Sequence, residues 1–175
     1  GRERDIELAF VGSTKSGAYS ERKALLDELA KVESLIVTRT NSGEDYCNTL
    51  NRIRFFVSAD VGMGEYMIKN FEAMACGCVL LAWDQGEAEN KALGFIDMEN
   101  LVLYRNVDEL RSKLAMLRSD PDLAARIASA GRALAEREYS FSRIGQRIVQ
   151  ALDKPLRDRP PMGLLDRLRL YWRFK

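Results

Sequence analysis

A chain of 175 residues, 46% apolar and 30% charged, is long enough for one domain with a substantial core and too short for two large ones. Its net charge of +1 gives no reason to expect nucleic acid as a partner. The sequence contains no histidine, which excludes Ser-His-Asp and Cys-His catalysis, HExxH zinc sites and any histidine base. Chemistry must then rest on carboxylates, cations, helix dipoles or the substrate itself.

No apolar run approaches the roughly 18–20 residues that span a bilayer, and no signal peptide opens the chain. The three cysteines, Cys47, Cys76 and Cys78, are odd in number, and two of them are separated by a single residue. That pattern predicts reduced thiols in a cytoplasmic protein.

In chain order, "DIELAFVGS" reads as a buried strand ending in small residues, and "SERKALLDELAKV" as a helix with Ser20 at its N-cap. "SLIVTRT" is a second strand and "GEDYCNTLNRI" a helix. "RFFVSAD" is a third strand, and "EYMIKNFEAMAC" a helix closed by Gly77. "CVLLAW" and "ENLVLY" are the fourth and fifth strands. Three helical stretches follow: "NVDELRSKLAMLRSD" with Asp108 near its start, "PDLAARIASAGRALAERE" opened by Pro121, and "SFSRIGQRIVQAL". Strands alternating with helices predict an α/β fold, a parallel sheet with helices on both faces, and a helical C-terminal region.

Ligands of such sheets bind at the carboxyl ends of the strands. The segments to inspect are therefore Gly12 to Glu21, Thr40 to Gly43, Asp60 to Gly64 and Asp84 to Glu89. Gly12 and Ser13 allow close backbone approach, and Lys15 and Arg22 beside a helix start suit phosphate, although neither the P-loop spacing nor GxGxxG is present. An ordinary strand-to-helix turn has the same composition. "ADVGMGEY" offers Gly62 and Gly64 before a helix, again fit for an anion. Asp60 would suit a phospho-accepting receiver only with an acidic pair after the first strand, and "FVGSTK" has none.

Glu72 stands out because "NFEAMACGCVLLAW" otherwise reads as buried helix running into buried strand. With the helix starting near Glu65, Met67, Phe71 and Met74 face the sheet. Glu65 and Glu72 then share another face, about 10.5 Å apart along the axis. Glu72 is either a solvated edge residue or a group that meets a ligand at the glycine-rich strand end.

"FEAMACGCVLLAW" and the stretch from "GFIDMENLVLY" to "YSFSRI" resemble the C-terminal, donor-binding half of GT-B glycosyltransferases of the "glycosyl transferases group 1" type. "DIELAFVGS" resembles the opening of that domain, so the likeness covers roughly residues 5 to 150. It implies one Rossmann-like half of a GT-B fold over residues 1–152, followed by a tail at 153–175. In that family the Glu of the E-A-M-A-x-G motif hydrogen-bonds the ribose of a nucleotide-sugar; here it is Glu72. The resemblance places phosphate contacts near Gly62 and Gly64 and on Lys15 and Arg22. The family pattern has a second Glu eight positions earlier that touches the donor sugar; this chain has Gly64 there, and Glu65, displaced by one, is the residue to take that contact.

The resemblance further implies a retaining transferase of bacterial polysaccharide or lipopolysaccharide biosynthesis, acting on a glycan, lipid-linked or envelope acceptor. It implies a nucleotide-sugar as donor, no metal or other cofactor, and an N-terminal acceptor domain supplied in cis or by a partner chain. The alternative is a module of the same fold that has lost transfer chemistry. From Lys154 to Lys175 seven Lys/Arg face two Asp/Glu, with Leu164, Leu165, Leu168, Tyr171 and Trp172 among them. Residues 161–175 would either lie on the anionic inner face of the cell membrane or cover the acceptor domain.

Overall fold

In the computed structural model, which describes residues 3–15 and 17–154, all five predicted strands form. They are β1 (Ile6–Val11), β2 (Ile36–Thr38), β3 (Ile53–Ser58), β4 (Val79–Trp83) and β5 (Val102–Tyr104). All neighbours are parallel, in the order β2-β1-β3-β4-β5. Side chains alternate across the sheet, so Leu8 and Phe10 enter one core while Ala9 and Val11 enter the other. Phe55 and Val57 split from Phe56 in the same way, as do Val79 and Leu81 from Leu80 and Ala82. The central strands read as continuous apolar runs because both faces are covered.

Helices α1 (Ser20–Leu29) and α5 (Val107–Ser119) cover the first face. Helices α2 (Glu44–Arg52) and α3 (Ile68–Ala75) cover the second, joined by Phe95 just after α4 (Glu87–Leu93). The long helix α6 (Pro121–Glu138) serves both: Ala124 and Ile127 join the first core, Leu134 and Ala135 the second. Gly131 lets α6 come this close, since a Cβ there would lie 2.5 Å from the Asn100 carbonyl oxygen. Asp120 caps α6 by accepting from the Leu123 N–H at 2.8 Å, with Pro121 at the first turn as the sequence suggested. Gly77 closes α3 with φ of 74°; its N–H reaches the Met74 carbonyl and the Cys78 N–H reaches that of Ala73.

Several expectations need correction. Helix α3 begins at Ile68, not near Glu65, and Met67 occupies the N-cap. Gly62 and Gly64, with φ of 72° and 71°, keep the preceding segment out of helical geometry. Glu65 therefore precedes the helix and does not stack with Glu72. Met74 is buried in the second core and Phe71 packs partly buried against it, as expected, whereas Met67 lies outside the helix and Asn70 and Ala73 complete its buried side. Helix α1 begins at Ser20 itself, with Tyr19 at the N-cap and no side-chain cap. Helix α4 was not expected from the sequence.

The chain divides into two units, residues 1–140 and 141–175. In the second, α7 (Phe141–Leu152) is amphipathic, with Phe141, Ile144, Ile148 and Leu152 spaced along one stripe. The basic, aromatic segment 161–175 lies outside the described residues.

Candidate functional site

Strand order reverses between β1 and β3, and parallel sheets open a crevice at that point. A cleft of about 450 Å³ lies there, at the carboxyl ends of β1 and β2 and the start of α3. Val11, Gly12 and Ser13 form one wall, and the turn from Arg39 to Gly43 forms another. Tyr46 of α2 and Lys69 and Glu72 of α3 close it. Of the four strand ends inspected, the first two line this cleft. Asp84 does not; it is held by Arg105 at 2.6 Å and by Asn90 at 2.8 Å.

Glu72 is half-buried and faces this cleft. Its Oε2 accepts a hydrogen bond from the Tyr46 hydroxyl at 2.9 Å. Burial and the adjacent carboxylate push the Tyr46 phenol far above the usual tyrosine range. It therefore stays protonated and donates. Among the described residues, Oε1 of Glu72 accepts no hydrogen bond.

Lys69 was missed in the sequence. Its Nζ donates to the Val11 carbonyl at 3.0 Å and lies 5.3 Å from the centre of the Tyr46 ring. Burial lowers the Lys69 pKa, partly opposed by Glu72. Gly12 makes room for it: a Cβ there would lie 2.9 Å from the Phe10 ring and 3.1 Å from Nζ. The only earlier hint was position, three residues before Glu72 and so on a neighbouring helical face. Arg39, exposed at the end of β2, is the second cation on the cleft that forms no ion pair among the described residues.

Arg22 reaches the cleft wall, but its charge is already used. It is 3% exposed and pairs with Asp60, also 3% exposed, at 2.8 Å. Its other nitrogens donate to the carbonyls of Ser13 and Ala59, and its guanidinium lies 4.3 Å from the Tyr19 ring centre. Asp60 also accepts from Ser58 Oγ at 2.9 Å, Asn70 Nδ2 at 2.8 Å and the Met67 N–H at 3.3 Å. The pair ties the β1–α1 loop to the β3–α3 loop beneath the cleft. Lys15 is exposed and does not line it. Nor do Gly62, Gly64 or Glu65, and a side chain at Gly62 would run into the Glu21 carboxylate.

A family model described as glycosyl transferase-like matches residues 2–150. The chain belongs to the glycosyl transferase-like family. Solved structures share the fold of a GT-B half. A glycosyltransferase from Rickettsia africae is 18% identical with a TM-score of 0.64, over 89% of this chain and 41% of that one. TarM is 15% identical with a TM-score of 0.63, over 87% of this chain and 36% of that one. The C-terminal domain of a group 1 glycosyl transferase, LpcC from Francisella tularensis, is 17% identical with a TM-score of 0.57 over 79% of this chain and 88% of that one. The chain thus spans well under half of the longer structures and most of an isolated C-terminal domain. No curated protein matches it.

Proposed function

We propose that the cleft binds a nucleotide-sugar and that this domain is the donor half of a glycosyltransferase. The observation that carries the reading is the half-buried Glu72 carboxylate, with one oxygen unused, beside the Lys69 ammonium at the sheet's reversal point. A charged acceptor suits a ribose diol, and an ammonium at a helix start suits a diphosphate. Glu72 takes the ribose, Lys69 and the first N–H groups of α3 take the diphosphate, and the 40–43 turn is left for the base. Gly12 and Ser13, which line the cleft, are assigned to the phosphates in this reading. Lys69 takes the part that the sequence suggested for Lys15 and Arg22.

In the whole enzyme, an acceptor domain in cis or on a partner chain completes the site. The family resemblance adds retention of configuration, with the departing diphosphate assisting the acceptor hydroxyl, and an acceptor of glycan, lipid-linked or envelope type. A second reading is favoured by one observation: Gly64 stands where relatives carry Glu, and Glu65 is exposed outside the cleft. A domain lacking that sugar contact would bind the nucleotide without serving transfer.

Calorimetric titration with UDP, GDP, CMP and their sugar conjugates tests the proposal. A structure of an S. aureus TarM mutant is a complex with UDP among its ligands, which supports including that nucleotide. One nucleotide should bind, and Glu72→Ala should weaken it by about tenfold or more with the melting temperature unchanged. Unaltered binding in that variant refutes the assignment. Equal affinity for the free nucleotide and every sugar conjugate favours the second reading.

A further inference from the structure

A glutamate side chain has three torsions, and a carboxylate half-exposed at a cleft would sample several of them before a ligand arrived. Glu72 is constrained by the Tyr46 hydroxyl, which comes from a different helix 26 residues earlier in the chain. Tyr46 is itself held: its ring joins the second core, and Lys69 lies over its other side at 5.3 Å. Its raised pKa fixes the direction of the bond, with the phenol giving and the carboxylate taking. One carboxylate oxygen is thereby anchored, which sets the plane in which the other presents its lone pairs.

We infer that Tyr46 is a positioning residue for ribose recognition, acting by orienting Glu72 through the 2.9 Å hydroxyl–carboxylate bond. The inference rests on the donor reading above. Preordering moves the conformational cost of fixing a long side chain from the binding event to folding. It also explains why a tyrosine sits in the first turn of α2, where the exposed neighbours Glu44, Asp45 and Cys47 are polar or small.

The test titrates the 175-residue chain with UDP and GDP and with their 2′,3′-dideoxy counterparts. Wild type, Tyr46→Phe, Glu72→Ala and the double variant are compared. Phenylalanine keeps the ring against Lys69 and the core, and thermal melts verify the fold. Tyr46→Phe should weaken the ribonucleotide by about five- to tenfold and leave the dideoxy form within about twofold of wild type. Added to Glu72→Ala it should change nothing further, because a positioning residue has no effect once its target is gone. Equal losses on both nucleotide forms, losses that add to those of Glu72→Ala, or no loss at all would each overturn the role of Tyr46. The donor reading fails separately, when no nucleotide binds or when Glu72→Ala leaves ribonucleotide affinity intact.

Discussion

Substituting Arg22 by methionine leaves the buried Asp60 carboxylate without its cation. Breaking one side of a buried ion pair costs about 3–5 kcal/mol, because the remaining charge stays desolvated and unpaired. Here the low end applies. Ser58, Asn70 and the Met67 N–H still donate to Asp60, and methionine refills the space over the Phe10 and Tyr19 rings. A loss of about 3 kcal/mol corresponds to a fall in melting temperature of roughly 6–12 °C for a domain of this size. Asp60→Asn alone should cost a similar amount by stranding the guanidinium. Removing both charges should restore much of the loss, with a coupling of at least about 1.5 kcal/mol. Urea unfolding of the four proteins measures this directly. A single-variant loss below about 1 kcal/mol with no coupling would mean that Arg22 is effectively solvated. Arg22 would then be free to serve as a phosphate cation after all.

Two further outcomes follow from the packing. Gly131→Ala would ordinarily stabilise a helix by about 1 kcal/mol, but the added carbon meets a backbone oxygen that cannot rotate away. A net loss of about 1–3 kcal/mol by chemical denaturation is therefore expected, and a gain would show that α6 does not approach Asn100 so closely. In thiol labelling at a pH of about 8, Cys47, which is exposed, should react first. Burial pushes Cys76 up to about 11 and Cys78 to about 12, so the half-buried Cys76 should label slowly and the buried Cys78 only on unfolding. Mass spectrometry finding Cys78 modified as fast as Cys47 would contradict the burial of Cys78 just before β4.

Much of this fold was legible because it is locally encoded. Apolar runs bounded by Gly, Ser and Asp located the strands, and Pro121 and Gly77 marked a helix start and a helix end where they act. What was misread depended on distant partners. The apolar pattern puts the start of α3 near Glu65 because Tyr66 and Met67 extend it backwards. The structure starts it at Ile68, with the Met67 N–H held by Asp60, a contact that periodicity cannot register. Arg22 has the same sequence signature as a solvent-facing cation at a strand end; only Asp60, 38 residues on, determines that it is buried and neutralised. Helix α4 is short, and its flanking Gly86 and Gly94 were available signals that went unused.

The cleft's electrostatics turn on the difference between two of its lining cations, Arg22 and Lys69. Arg22 brings a charge already matched by a carboxylate at 2.8 Å, so an entering anion would gain little from it. Lys69 spends one of its three donors on the Val11 carbonyl and keeps two. Its burial penalises the ammonium and lowers its pKa, so this charge benefits from an incoming counter-ion. Glu72, one turn along the same helix, offsets that penalty only in part, since Tyr46 holds its carboxylate and no Lys69–Glu72 ion pair forms among the described residues. The helix therefore presents an ammonium with unused donors and a carboxylate with an unused acceptor, kept apart by their separate tethers. A ligand that satisfies both carries an anion and a hydrogen-bond donor about one helical turn from each other. A diphosphate attached to a ribose meets that requirement, whereas a free phosphate or an uncharged sugar meets half of it.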